Sequence, residues 1–185
     1  MISNKDKLYL KVADAKERTI LKEKVISNWL SSCPNENVRK AQINDLKDDF
    51  KSLDDDNLFK KGKYFILKDS KEEINGSICL EFNENEKEAE LKCFYVNPEY
   101  RGQGYGRLLM DELIYEAKFQ EIVKINLVTI SYLEVAAKFY SKYGFKNVKS
   151  FTTYAFNGAW ILDKNLLNKE DNYDEYEVIF YELIL

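Results

Sequence analysis

Between Tyr64 and Val96 three strand-like runs follow one another: Tyr64 to Leu67, Ile74 to Phe82 and Ala89 to Val96. Only short polar links separate them, Asp69 to Glu73 and then Asn83 to Lys87, which predicts an antiparallel meander. The third run stops at Asn97-Pro98, because proline cannot extend a strand ladder. Immediately beyond lies Arg101-Gly102-Gln103-Gly104-Tyr105-Gly106, and then a helix predicted over about 106–120. Leu109, Met110, Leu113, Ile114 and Ala117 give that helix one apolar face. A meander that ends in a glycine turn at the start of an amphipathic helix restricts the chain to a mixed α/β (α+β) fold.

The flanking segments agree with that reading. Leu8 to Val12 alternates as a strand, and residues 15–31 and 38–53 carry apolar residues near helical spacing, with Cys33-Pro34-Asn35 as the break. After the glycine loop come a strand over 125–130 and a helix over about 133–143. That helix places Ala136, Phe139, Tyr140 and Tyr143 on one stripe, and Gly144 ends it as a C-cap. Strands over 148–156 and 176–184 complete the pattern, with a polar, acidic stretch around Lys169 to Glu175 between them. There is no repeat and no Pro- or Ser-rich linker, so a single domain over 1–185 is expected.

Composition narrows the chemistry. Apolar residues make up 45% and charged ones 32%, as in a folded soluble protein. No apolar run reaches the roughly 18 residues of a membrane helix, and the first residues lack the apolar stretch of a signal peptide, so a cytoplasmic, membrane-free protein is expected. The net charge of -4 argues against a nucleic-acid partner and suits a cationic acceptor such as an amine. The absence of histidine removes Ser-His and Cys-His nucleophiles and every His-containing metal site; no metal is expected. Cys33, Cys79 and Cys93 form no CxxC pair and read as reduced, buried thiols. Carboxylates, tyrosines, backbone amides or a bound cofactor must therefore carry the chemistry.

Glycines between a strand and a helix expose backbone N–H groups where the macrodipole contributes about half a positive charge, a setting that holds phosphate. The loop fails the GxGxxG pattern, since the last position counted from Gly102 is Arg107, and GxxxxGK[ST] is absent. It satisfies [RQ]xxGx[GA] through Arg101, Gly104 and Gly106. As an isolated hexapeptide it reads equally well as a glycine turn that caps a helix.

Its surroundings are more specific. Phe94-Tyr95-Val96-Asn97-Pro98-Glu99-Tyr100-Arg101 and the residues on to Leu109 resemble motif A of the GCN5-related N-acetyltransferase (GNAT) family. About 30 residues on, Ala136-Ala137-Lys138-Phe139-Tyr140-Ser141-Lys142-Tyr143-Gly144-Phe145 resembles that family's motif B, ending in YxKxGF. The resemblance extends to the element order of nearly the whole chain. It implies the GNAT fold, a mostly antiparallel central sheet of about six or seven strands flanked by about four helices. It also implies acetyl-coenzyme A as acyl donor. The pyrophosphate would lie on the backbone of Gly102, Gln103, Gly104, Tyr105, Gly106 and Arg107, next to Arg101. The pantetheine arm would lie on Phe94, Tyr95 and Val96, where the family's strand splays at a bulge. Homodimers are common in the family.

Transfer to an amine needs a deprotonated nucleophile and a protonated leaving thiolate. A lysine-like amine is neutral in only about one molecule in a few thousand at pH 7, so its deprotonation must be assisted. By the resemblance, Tyr140 matches the tyrosine beside the coenzyme A sulfur and is the candidate acid; its other reading is a core aromatic. Glu90 matches the glutamate of the histone-acetylating branch and is the candidate base, with Glu81 in reserve; its other reading is a solvated charge. On an unbroken strand Glu90 would share a face with Lys92 and Phe94. The glutamate of some N-terminal-amine acetyltransferases corresponds here to Val128. Leu133 stands where motif B commonly has an asparagine, with Asn126 or Ser131 as possible substitutes. Acidic Asp45, Asp48, Asp49 and Asp54 to Asp56 would suit a polyamine, an aminoglycoside or a lysine of a protein. The rival readings are an inactive or sensory acetyl-coenzyme A binder and a nucleotide-binding module.

Overall fold

The computed structural model describes residues 7–53, 62–83 and 87–185. Their strands are β1 (Tyr9–Val12), β2 (Gly62–Lys68), β3 (Ile74–Phe82), β4 (Glu88–Val96), β5 (Lys124–Ile130), β6 (Lys146–Phe156), β7 (Ala159–Ile161) and β8 (Asp174–Ile184). The helices are α1 (Ala15–Ser32), α2 (Glu36–Leu53), α3 (Tyr105–Phe119) and α4 (Glu134–Lys142). This is the expected mixed α+β fold with mostly antiparallel β-structure. Residue contacts divide the chain into two compact units, one of residues 1–25, 59–125 and 185, the other of residues 26–58 and 126–184.

In the first unit β1 to β4 lie side by side in sequence order, all antiparallel; for β2 to β4 this is what the short polar links predict. The pairings Phe65↔Ile78 and Leu80↔Leu91 set Phe65, Leu67, Ile78, Leu80, Ala89 and Leu91 on one face, all buried. Against that face α3 packs its own buried stripe of Leu109, Met110, Leu113 and Ala117. On the other face Tyr64, Ile66 and Cys79 meet Leu21 and Val25 of α1. Both faces of β2 and β3 are thus covered, which is why these strands read as continuous apolar runs rather than alternating ones. Each such side chain contributes about 1.5–3 kcal/mol on burial, so the meander and α3 form a stiff platform.

In the second unit the strand order is β5-β8-β6-β7. β6 and β8 pair antiparallel over their length, with Phe151 opposite Val178. β7 brings the strands among the described residues to eight, where about six or seven are expected. It folds back on β6 through Asn157 and Gly158, at φ 47° and 78°. Two consecutive left-handed residues make the two-residue hairpin turn that Asn-Gly favours. Val38 and Ala41 of α2 pack on Ala155 of β6, and the Asn44 side chain donates to Gly158 O at 2.7 Å.

Candidate active site

The pairing of β3 with β4 jumps at one place. Lys92 faces Cys79 and Tyr95 faces Ser77, so Cys93 and Phe94 together oppose Ile78. This is a β-bulge, and Cys93 takes it at φ 53°, left-handed backbone that a non-glycine residue adopts at a cost. The fully buried Ser77 donates its hydroxyl to Cys93 O at 2.7 Å, satisfying a carbonyl the bulge turns out of the ladder. The bulge corrects one expectation: directly opposed residues share a face, so Tyr95, and not Phe94, continues the face of Glu90 and Lys92. Phe94, Tyr95 and Val96 are half-buried at the strand end.

The short helical turn Pro98–Tyr100 then leads into the glycine loop. Gly102 and Gly104 lie at φ 74° and 89°, and a Cβ built on either would meet nothing within 4 Å. Their requirement is therefore backbone conformation and open space above the loop, not packing. Gly104 is the N-cap of α3, and the first helical bond runs from Leu108 N to Gly104 O at 3.0 Å. The amides of Tyr105 and Gly106 precede it and point out of the helix start. The first turn holds no acidic residue, so nothing competes with an anion for the positive end of this 15-residue helix.

Side chains hold the loop in place. Arg101 donates from Nε to Val96 O at 2.9 Å with its guanidinium over the Tyr95 ring, and Gln103 donates to Glu99 O. Tyr105 turns its ring edge-on to Tyr100, and its hydroxyl accepts from Leu8 N. Tyr105 thus offers an anion its amide, not its hydroxyl. The geometry suits a pyrophosphate: exposed amides, two left-handed glycines and arginines at 101 and 107.

The two candidate bases stand opposite each other, Glu81↔Glu90. Facing carboxylates repel, and Lys92 offsets this by reaching Glu81 at 2.6 Å and Glu90 at 3.3 Å. Burial alone would lower the Lys92 ammonium, but its bonds to Glu81 and to the Glu90 charge hold it above the ordinary lysine value. The Glu90 side chain is 38% exposed and that of Glu81 17%, so Glu90 is the more accessible. Burial pushes the Cys93 thiol up to about 12 and the Cys79 thiol well above its usual value. Neither is a thiolate at neutral pH, so neither serves as a nucleophile.

Tyr140 belongs to the second unit, and the YxKxGF pattern has a plain structural meaning there. Phe145 N donates to Tyr140 O at 3.2 Å and Gly144 N to Ser141 O at 3.1 Å, with Gly144 at φ 91°. This is a Schellman cap, whose apolar pair is Tyr140 with Phe145, ring centroids 5.9 Å apart. Phe139 and Tyr181 complete an aromatic surround at 6.4 and 6.3 Å. Burial raises the Tyr140 phenol well above the usual tyrosine value. At the other end of α4, Leu133 is the N-cap and supplies no side-chain bond, and Ser131 Oγ is occupied in accepting from Glu177 N at 3.0 Å. Val128 is half exposed on β5. Asp54 to Asp56 lie outside the described residues, as do the side chains of Asp45, Asp48 and Asp49.

Residues 60–147 match the family model of the acetyltransferase (GNAT) domain. The fold of the whole chain is shared with an acetyltransferase of the GNAT family from Staphylococcus aureus Mu50: TM-score 0.66 at 23% identity, over 97% of this chain and 99% of that one. A spermidine N-acetyltransferase from Vibrio cholerae, in complex with CoA and spermine, superposes with TM-score 0.60 at 17% identity, over 96% and 95% of the two chains. A Bacillus anthracis Ames protein assigned as a streptothricin acetyltransferase, in complex with acetyl coenzyme A, gives 0.52 at 26% identity over 68% and 63%. The chain is a GNAT-fold protein, and its bulged strand, glycine loop and Schellman-capped tyrosine lie within residues 60–147. No helix among the described residues is long and apolar enough to cross a membrane, and no group of His, Cys, Asp or Glu among them is arranged to hold a metal.

Proposed function

We propose that this protein is an N-acetyltransferase that moves the acetyl group of acetyl-coenzyme A to a primary amine, with residues 1–185 acting as one catalytic domain. The observation that carries this reading is the strand end at Phe94 to Val96, bulged at Cys93, running into a left-handed glycine loop at a helix start free of acidic residues. The fold relatives bound to CoA and acetyl coenzyme A support the same donor.

Acetyl-coenzyme A, when bound, supplies an acetyl group already activated as a thioester. The amides of residues 102–107, with Arg101 and Arg107, hold its pyrophosphate, and the backbone of Phe94, Tyr95 and Val96 orients its pantetheine arm. Tyr140 keeps its hydroxyl proton at neutral pH and offers it to the leaving sulfur. Glu90 takes up the ammonium proton of the acceptor, through water, on a carboxylate that Lys92 holds in place. The acceptor is a small-molecule amine of polyamine or antibiotic type, or an amine of a protein, as the spermidine and streptothricin relatives suggest.

A second reading, an acetyl-coenzyme A sensor without transfer, draws on two observations: Leu133 gives α4 no side-chain cap, and Glu90 is tied to Lys92. A transfer assay separates the two. Purified protein is incubated with acetyl-coenzyme A and diamines, aminoglycosides or lysine peptides, and thiol release is followed. Transfer to at least one amine is expected, and Glu90→Gln should slow it about 100-fold at an unchanged KM for acetyl-coenzyme A. Tight donor binding without transfer to any acceptor would establish the sensor; preferential ATP binding would overturn both.

A further inference from the structure

The phosphate loop begins at a turn whose side-chain bonds lead back, residue by residue, to a buried carboxylate on the β2–β3 link. Asp69 and Asn75 are both buried, 7% and 5% exposed. Asp69 Oδ1 accepts from Lys71 N at 2.9 Å and Glu73 N at 3.0 Å, while its Oδ2 accepts from Asn75 Nδ2 at 2.9 Å. Asn75 Nδ2 also donates to Glu73 O at 3.1 Å. The other end of that amide, Oδ1, accepts from Asn97 Nδ2 at 2.9 Å. Asn97 in turn accepts at Oδ1 from Glu99 N, 3.2 Å, as N-cap of the turn Pro98–Tyr100. A backbone bond from Asn97 N to Asn75 O at 2.8 Å fixes the two segments side by side.

The chain of bonds has a direction. An ionised carboxylate only accepts, so Asp69 forces Asn75 to present its NH2 group. The Asn75 oxygen must then face Asn97, which compels Asn97 to present its NH2 there and its oxygen to the Glu99 amide. A wrong amide orientation anywhere would set donor against donor or acceptor against acceptor in a half-buried place. The consequence reaches the ligand site, because Glu99 O receives Gln103 and Pro98 O receives Arg101 N, the residues on either side of Gly102.

We propose that Asp69, Asn75 and Asn97 form a directional hydrogen-bond relay that positions the phosphate loop for the donor's pyrophosphate. They are positioning residues: none touches the ligand, and the proposal rests on the acetyl-coenzyme A reading of that loop. Hydrogen bonds of this kind make the loop ready before binding, so that its ordering does not draw on binding energy.

An isoelectronic swap tests it. In Asp69→Asn the amide oxygen keeps the Lys71 and Glu73 amides and the new NH2 opposes that of Asn75. In the double variant Asp69→Asn with Asn75→Asp, the residue at 69 donates to the one at 75 and the bonds on to Asn97 and Glu99 are restored, while the bond from residue 75 to Glu73 O is lost. The dissociation constant of coenzyme A, by calorimetry, should rise about tenfold in the single variant, the ratio one ordinary hydrogen bond corresponds to. It should return to within about threefold of the wild type in the double variant, which regains the bonds to Asn97 and Glu99 but not the one to Glu73 O. The effect should fall on the KM for acetyl-coenzyme A and leave kcat nearly unchanged. Amide exchange over 98–104, measured without ligand, should quicken in the single variant and slow again in the double one. Wild-type-like affinity and exchange in a folded Asp69→Asn protein would overturn the relay, as would a double variant as weak as the single one. If Asp69→Asn does not fold, Asn97→Ala tests the last link with the same two measurements and the same overturning result. A wild-type protein that ignores coenzyme A would instead overturn the donor reading, with the exchange pattern still deciding the relay.

Discussion

In the proposed reaction the glycine loop and Tyr140 deliver their chemistry by different routes. The loop presents backbone amides, and what it needs from its sequence is conformation: left-handed glycines, a helix start and side chains that pin the turn. Tyr140 presents one hydroxyl from a ring enclosed by Phe139, Phe145 and Tyr181. Backbone groups cannot be deleted by substitution, only misplaced, whereas a hydroxyl can be removed with its surroundings intact. The loop should therefore respond to strain and the tyrosine to a change of chemistry.

The largest effect is expected from Tyr140→Phe, which keeps the aromatic surround. Turnover should fall about 100-fold or more, with the KM for acetyl-coenzyme A changed less than about threefold in steady-state assays. Because burial raises the phenol above its ordinary value, the protonated form persists past pH 10, so wild-type kcat should show no alkaline loss at the ordinary tyrosine pKa. An equal fall in affinity and turnover would place Tyr140 with the loop as a binding group. Next comes Gly104→Val, which puts a β-branched residue at φ 89°. Coenzyme A affinity should weaken about 10- to 100-fold by calorimetry, the equivalent of about 1–3 kcal/mol of backbone strain, with little change in Tm if the loop relaxes. Unaltered affinity would mean that conformation is not what the loop supplies.

The smallest effect sharpens the contrast with a glycine outside the site. Gly158 also has positive φ, 78°, but a Cβ there would lie 3.0 Å from Asn44 Nδ2. Gly158→Ala should lower Tm by about 2–4 °C, the shift about 1 kcal/mol produces in a chain of this size, and leave coenzyme A affinity as it was. A loss of affinity would tie the hairpin to the donor site.

Most elements were readable because their patterns are local. The meander links, the apolar stripe of α3 and Gly144 all act over a few residues, and the predicted bounds fall within a few residues of those observed. The missed strand β7 also had a local signal, Asn157-Gly158 between apolar runs, which is the strongest short hairpin mark a sequence carries. The bulge at Cys93 had none: without glycine at the left-handed position, nothing in Phe94-Tyr95-Val96 shows where the ladder skips. That skip separates Phe94 from the face of Glu90, which an unbroken alternation would have joined. Nor does the acidic run before β4 show that Glu90 and Glu81 face each other across one lysine, since cross-strand register depends on the whole meander.

The sequence by itself determined every described element but β7, their order, the glycine loop and the capped tyrosine, because helix starts, helix caps and short links are decided by neighbours along the chain. Tertiary structure alone decided which carboxylates share Lys92, where β4 skips a residue, and that Asp69 orients Asn97 from a strand link nearly thirty residues away. Those outcomes depend on strand register and on the direction of buried hydrogen bonds, which exist only once distant segments have met.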